Sequence, residues 1–497
     1  MKFMKKTFAG FLAILLVIGM MAGSVLPASA AAVAGDVNTD GKADLLDVMI
    51  TLRLLAGLEY KGTHSKHGMF VNGDAFADLS DAVTLLRSAA GWDVALTAGN
   101  TALPLAKTES GIYYYEDAAL RIVSQNVYHG DNDRVNRIER LRTLYNDVCH
   151  PEILLLQEYR WTGWFTAWEG VNPTRTYLNF NKNGTNGNSY FVTVSSDSIM
   201  GAGYEGLVLS RAEVDQDTKE EAAALTKANG GVATVENAYQ PDERLAIFWD
   251  GSKYAPAEDE NGDPVYGMFY FSDTPDVFSA SYGADPVTTL DSATIDGNAY
   301  EFYVDGSARI GIWLKLKNEK TDKEFYVFDL HGANLDDKES LEYSDDVARI
   351  ITEQIAAAQE RGGEAPVVVG GDLNIDYYNT NDKAGFAILN AALDDAGVML
   401  GDLRGTAAMW GKNVGAAANG YEAKADAIHI RGDILFRGKN DARAVPLAYS
   451  VLEHTFDTDH SVKYETFAEA IADGAVATEL LYAADHLGVY GEFVMWN

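Results

Sequence analysis

The sequence predicts an α/β protein, and three observations carry that prediction. Residues 366–376 (PVVVGGDLNID) set three β-branched residues, Val367 to Val369, before Gly370 and Gly371, the pattern of a short buried strand that stops abruptly. Apolar runs of that kind alternate with amphipathic helical stretches from Ala118 onward. Each run also meets a polar residue where it stops or starts, so strands sharing a sheet would gather those residues on one rim.

Bulk properties bound the reading. A chain of 497 residues exceeds one ordinary core, so two or more domains are expected. Hydrophobic residues make up 47% and charged residues 23%, the balance of a soluble globular protein. The net charge of −34 repels nucleic acid unless it is locally screened, and it suits bound cations or an exported protein. A DNA substrate is disfavoured but not excluded, because a metal-loaded cleft is locally positive.

Residues 1–30 read as a signal peptide: Lys2, Lys5 and Lys6, an apolar core from Phe8 to Met21, and Ala28-Ser29-Ala30 as the cleavage site. No cysteine follows the core, so lipid anchoring is not expected. No later stretch is apolar enough to span a bilayer. The expectation is a secreted, extracellular protein, released or held at a scaffold or cell surface. Its single cysteine, Cys149, rules out an internal disulfide.

Asp36, Asn38, Asp40, Asp44 and Asp47 occupy positions 1, 3, 5, 9 and 12 of an EF-hand-type calcium loop, with Gly41 at position 6 and Asp in place of Glu at 12. A helical pattern through Val48, Leu52 and Leu55 follows. A weaker copy holds Asn72, Asp74, Asp78 and Asp81, but position 1 falls on Phe70 and position 6 on Ala75, so it should bind Ca2+ poorly, or only with help from backbone oxygens. Residues 93–117 have no clear period and read as a linker.

In the α/β region, 120–127 reads as a strand ending at Gln125-Asn126, and 134–148 as a helix with Val135, Ile138, Leu141 and Leu144 on one face. Residues 152–158 (EILLLQE) form the next strand. Inserts are expected over roughly 170–300. A buried strand over 324–331 (EFYVFDLH) precedes an amphipathic helix over 344–360. After the 366–376 strand come a helix near 384–396, a strand over 429–436 (HIRGDILF) and a last strand over 487–496. The 372–376 stretch read alone is also an Asx-rich turn capping a strand.

Two resemblances rest on these residues. The tandem loops, each leading into a helix, resemble a dockerin over residues 35–92, which implies a small all-α module binding Ca2+ and a cohesin-bearing scaffold as partner. The ordered set Gln-Asn126, Leu-Gln-Glu158, Leu-His331-Gly, Gly-Asp372-Leu-Asn374 and Asp485-His486-Leu-Gly-Val resembles the endonuclease/exonuclease/phosphatase superfamily over residues 118–497. It implies a four-layered α/β sandwich of two mixed sheets flanked by helices, and an Mg2+- or Mn2+-dependent phosphoester hydrolase. By that resemblance Asn126, Glu158 and Asp485 hold the metal and His486 is the general base oriented by Asp433. His331, supported by Glu243, binds phosphate oxygens; Asp372 and Asn374 place the phosphate and the attacking water; Arg160 and Arg309 grip substrate phosphates.

A second Asp-His pair, Asp459-His460, lies in a polar stretch, whereas Asp485-His486 leads into an apolar-polar alternation fit for a terminal strand, so the latter is preferred. Oxygen ligands, an imidazole base and amide donors are what phosphoester hydrolysis requires, because the attacked centre gains negative charge. The substrate class stays open. Nucleic acid leads over lipid or sugar phosphates, although Tyr128 stands where nuclease relatives carry an arginine. Trp161, Trp164 and Trp168 fit either a stacking platform or a core plug. A scaffold-bound binding protein without activity is the reading from a different class.

Overall fold

The computed structural model describes residues 33–127, 134–158, 191–193, 199–210, 244–270, 289–295, 298–303, 310–332, 340–373, 387–402, 404, 406, 433–457, 459–475, 482–484 and 486–496. The chain divides into two compact units near residue 119.

The first unit is a structural duplication. Helices Leu45–Leu55 and Leu79–Ala89 each start from an Asp N-cap, Asp44 and Asp78, closed by a capping box with Asp47 and Asp81. They bury Val48, Ile50 and Leu54 together with Ala82 and Leu85. Residues 35–92, expected as an all-α module, hold these helices and one two-residue strand. Strands β1 (Phe76–Ala77), β2 (Leu105–Lys107) and β3 (Tyr113–Tyr115) form an antiparallel sheet in the order β1-β3-β2. The stretch expected as a linker over 93–117 therefore contributes two strands. Its tyrosine run was informative, since aromatic residues favour half-buried strands.

The second unit is a mixed α/β sandwich. Its first strands are β4 (Ala119–Asn126), β5 (Ile153–Gln157), β6 (Phe191–Thr193), β7 (Tyr204–Ser210) and β8 (Arg244–Asp250). Next come β9 (Tyr254–Pro256), β10 (Tyr266–Tyr270), β11 (Thr289–Ile295), β12 (Asn298–Tyr303), β13 (Ile310–Asn318) and β14 (Lys323–His331). The last are β15 (Val367–Asp372), β16 (Leu393–Asp395), β17 (Asp433–Gly438), β18 (Ala444–Val451), β19 (Thr455–Phe456), β20 (Val462–Tyr464) and β21 (Val489–Met495).

One seven-stranded sheet runs β18-β21-β4-β5-β8-β7-β6, and the other runs β10-β13-β14-β15-β17-β16 with β9 beside β13. Both are mixed: β4 pairs parallel with β5 and β14 with β15, while β15 and β17 are antiparallel. Period-2 alternation explains the layering. Ile122, Ile153 and Leu155 meet Leu314, Val327 and Val368 of the facing sheet in the central core. The alternate residues Val123, Leu154 and Leu156 face Leu141, Leu144 and Tyr145, and Phe328, Val367 and Val369 face Ile351 and Ala358 of helix Ser340–Gly362. Strands buried on both faces read as continuous apolar runs for this reason.

Two local departures have physical causes. The helix expected over 134–148 is α-helical only over Arg134–Thr143; it widens into a π-turn at Leu144–Cys149 and stops at His150, where φ is +42°. The helix expected near 384–396 gives way at Leu393–Asp395 to edge strand β16, because pairing with β17 satisfies its backbone better than another helical turn. Among the described residues no helix is long and apolar enough to cross a membrane.

Candidate active site

Strand register builds the site before any side chain is considered. In the second sheet His331 pairs with Asp372 across β14 and β15, and Asp372 pairs with Asp433 across β15 and β17. Three polar residues thus stand in a row on adjacent strands, which lie about 4.8 Å apart. In the first sheet Asn126 ends β4 opposite Gln157 of β5. Glu158 follows in the left-handed region at φ +52°, which costs an L-residue about 1–2 kcal/mol and turns the chain sharply out of the strand. His486 comes just before β21, the neighbour of β4.

Two glycines allow close packing at this rim, Gly370 against the facing sheet and Gly371 against the neighbouring strand β14. A Cβ on Gly370 would lie 2.5 Å from Leu155 of the facing sheet. At Gly371, φ is +143° and a Cβ would lie 2.1 Å from the Leu330 carbonyl oxygen. At 371 only glycine fits, whereas a side chain at 370 would have to displace the Leu155 methyl.

The side chains then form one connected cluster. The Asn126 amide donates to Glu158 Oε1 and to Asp372 Oδ2, both at 3.0 Å, and its backbone N–H donates to Asp433 Oδ1 at 3.1 Å. His486 Nδ1 lies 2.8 Å from Asp433 Oδ2 and 3.7 Å from Asp372 Oδ2. His331 Nε2 lies 3.7 Å from Glu158 Oε1 and 3.9 Å from Asp372 Oδ2. Asn126, His331, Asp372 and Asp433 are buried, while His486 keeps partial exposure. Glu158 and His331 therefore face each other across the two sheets.

Burial pushes the Asp433 carboxyl above its ordinary value, and the neighbouring His486 pulls it back. With Asp433 accepting from Nδ1–H, Nε2 is the imidazole's acceptor nitrogen. The donor set fits a hard cation. The Asn126 carboxamide and the Glu158 carboxylate lie side by side, with Asp372 next to them, oxygen ligands of the kind Mg2+ and Mn2+ prefer. Asp372, Asp433 and His486 also converge within 4.8 Å, but Asp433 is committed to the Asn126 N–H and to His486, which suits proton holding better than ligation.

Residues that reading the sequence did not single out brace the cluster. Gln125 Nε2 donates to the His486 carbonyl at 3.1 Å, and Tyr145 donates to Gln125 Oε1 at 2.7 Å. Thr406 accepts from Asp433 N–H through its hydroxyl at 3.1 Å and from Leu487 N–H through its carbonyl at 2.6 Å. Deeper between the sheets, Gln157 Nε2 donates to Asp329 Oδ1 at 2.6 Å and to Ser124 Oγ at 3.2 Å. Gln157 and Asp329 carried a local signal, since polar residues inside apolar runs need partners. Thr406 carried none. Cys149 is buried and its thiol is pushed up to about 12, so it is no nucleophile at neutral pH.

Asn374, Asp485, Glu243, Arg160 and Arg309 lie outside the described residues, as do Tyr128 and the three tryptophans after Glu158. His460, the alternative to His486, lies in a turn at φ +68°.

Among solved structures, the chain is similar to an endonuclease/exonuclease/phosphatase family protein from Bacteroides thetaiotaomicron at 18% identity, covering 76% of this chain and 98% of that one with a TM-score of 0.41. A mannosyl-6-phosphatase from the same organism matches at 19% identity over 76% and 100%, with a TM-score of 0.42. TDP2 from D. rerio in complex with a single-strand DNA product matches at 15% over 76% and 98%, with a TM-score of 0.39. No family model matches the chain, and no curated protein matches it.

Proposed function

We propose that this protein is a secreted, metal-dependent phosphoester hydrolase. One observation carries the reading: Asn126 and Glu158 from one sheet meet His331, Asp372 and Asp433 from the other, with His486 between them, in one cluster. Glu158 and Asn126, completed by Asp485, would hold Mg2+ or Mn2+. When bound, the cation supplies charge neutralisation at the phosphate oxygens. His486 Nε2 takes the proton from the attacking water, while Asp433 holds Nδ1–H and stabilises the imidazolium that forms. His331, supported by Glu243, donates toward a non-bridging oxygen. Asp372 and Asn374 orient phosphate and water, and Arg160 and Arg309 grip flanking phosphates.

Phosphodiesters of nucleic acid are the first substrate class. A second reading, phosphoesters of sugars or lipids, is favoured by the net charge of −34, which opposes a long polyanion. The duplicated Asp-rich unit supports docking to a cohesin-bearing scaffold in the presence of Ca2+.

The test is product release from a panel of nucleic acids, phospholipids and sugar phosphates with and without Mg2+. The expected result is Mg2+-dependent hydrolysis of one class, abolished by His486→Ala and by Glu158→Ala. Wild-type inactivity on every class would favour a scaffold-bound binding protein instead.

A further inference from the structure

The two loops of the first unit share most of their hydrogen bonding. Asp47 Oδ1 accepts from Val37 and Asn38 N–H, and Asp81 Oδ1 accepts from Val71 and Asn72. The other oxygens of Asp47 and Asp81 accept from Asp44 and Asp78. Asn38 and Asn72 each donate to the aspartate two residues on. The loops part company first at positions 1 and 6.

At position 1, Asp36 accepts from Asp40 N–H at 3.0 Å and Gly41 N–H at 2.8 Å. Its counterpart Phe70 is an apolar ring, 2% exposed, stacked on Tyr115 at 4.5 Å. At position 6, Gly41 takes φ +90°, the bend such a loop needs. Ala75 does not adopt it. The chain instead runs straight into β1, which pairs with β3 through Phe76–Tyr114 and Ala77–Tyr113, and Tyr115 N–H donates to the Ala75 carbonyl at 3.1 Å. Tyr115 is fixed in turn, its hydroxyl accepting from Asn100 N–H at 2.8 Å.

The second loop thus lacks the first carboxylate, and calcium takes six to eight oxygens. It also gains a contact the first loop lacks, Asn72 Nδ2 to Ser80 Oγ at 2.7 Å. We infer that the second loop holds no calcium, and that strand β3 with the Phe70–Tyr115 stack does there what the cation does in the first loop; this rests on the reading of the first unit as a calcium-dependent module. Each chain then takes one Ca2+ in this unit. Its two halves answer differently to calcium removal.

Hydrogen exchange on the full chain, in excess Mg2+ with and without a calcium chelator, tests this locally. Chelation is expected to speed exchange in peptides covering 36–44 by roughly tenfold or more and to leave those covering 76–78 and 113–115 unchanged. Native mass spectrometry of Asp40→Ala and Asp74→Ala, equivalent positions in the two loops, supplies a second readout: the first should lose one bound Ca2+ and the second none. Parallel deprotection of both loops, or a Ca2+ lost on Asp74→Ala, overturns the inference. No response in either loop overturns the calcium reading beneath it, and the inference with it.

Discussion

Asp433 holds two partners at once, the Asn126 N–H on one oxygen and His486 Nδ1 on the other, while fully buried. Asp433→Ala would leave His486 without its orienting acceptor, and kcat should fall by roughly 10²–10⁴-fold, the range general-base catalysis contributes. Steady-state kinetics check this; a loss confined to KM would instead place Asp433 in substrate binding. Asp329 poses a different residue-scale problem, because burial pushes its carboxyl well above the ordinary range. It stays protonated in the folded chain at pH values where the unfolded chain has ionised it. Stability tied to this group is therefore complete below the ordinary value of 3.8 and is lost as pH rises toward the folded value. Asparagine has no such proton to release. Asp329→Asn should keep the bond partner of Gln157 and gain Tm over wild type increasingly as pH rises above about 4. A Tm difference that does not change with pH would show that Asp329 is ionised inside.

Strand β15 is the element on which the rim depends, and its glycines are what a substitution would expose. Gly371→Ala sets a Cβ against the Leu330 carbonyl at a φ of +143°, so β14 and β15 must separate where His331 and Asp372 pair. A loss of about 3 kcal/mol or more is expected, with kcat reduced alongside. Denaturant unfolding and kinetics on the same sample would show it, and a variant of wild-type stability would mean that the strands yield freely. Much at this scale was legible in the sequence. Val367 to Val369 before two glycines marked the strand and its end, and Asn126, Glu158, His331 and Asp372 could each be placed at a strand terminus from local pattern alone. Illegible parts were set by distant partners. Leu393–Asp395 is a strand only because β17 lies beside it, and Thr406 matters because it touches the backbones of both Asp433 and Leu487. The strands in 93–117 lie beyond pattern reading because three residues are too few to show a period.

At the scale of the whole molecule the net charge of −34 decides how substrate arrives. A hydrolase that binds nucleic acid through a basic groove releases condensed counterions, so its affinity falls steeply with salt, by nearly one log unit per log of salt for each phosphate contacted. A strongly anionic chain reverses the sign at long range. Its field repels a polyanion beyond contact distance, and added salt shortens the range of that repulsion, to about 10 Å at 0.1 M. Between about 20 and 200 mM monovalent salt, kcat/KM toward a single-stranded oligonucleotide should hold or rise at saturating Mg2+, while kcat/KM toward a small sugar phosphate should stay nearly flat. The two slopes, measured on one preparation, separate the substrate classes by physics rather than by rate alone. A steep fall for the oligonucleotide would show that cationic side chains such as Arg160 and Arg309 override the molecular field at the site, and would favour nucleic acid as the natural substrate.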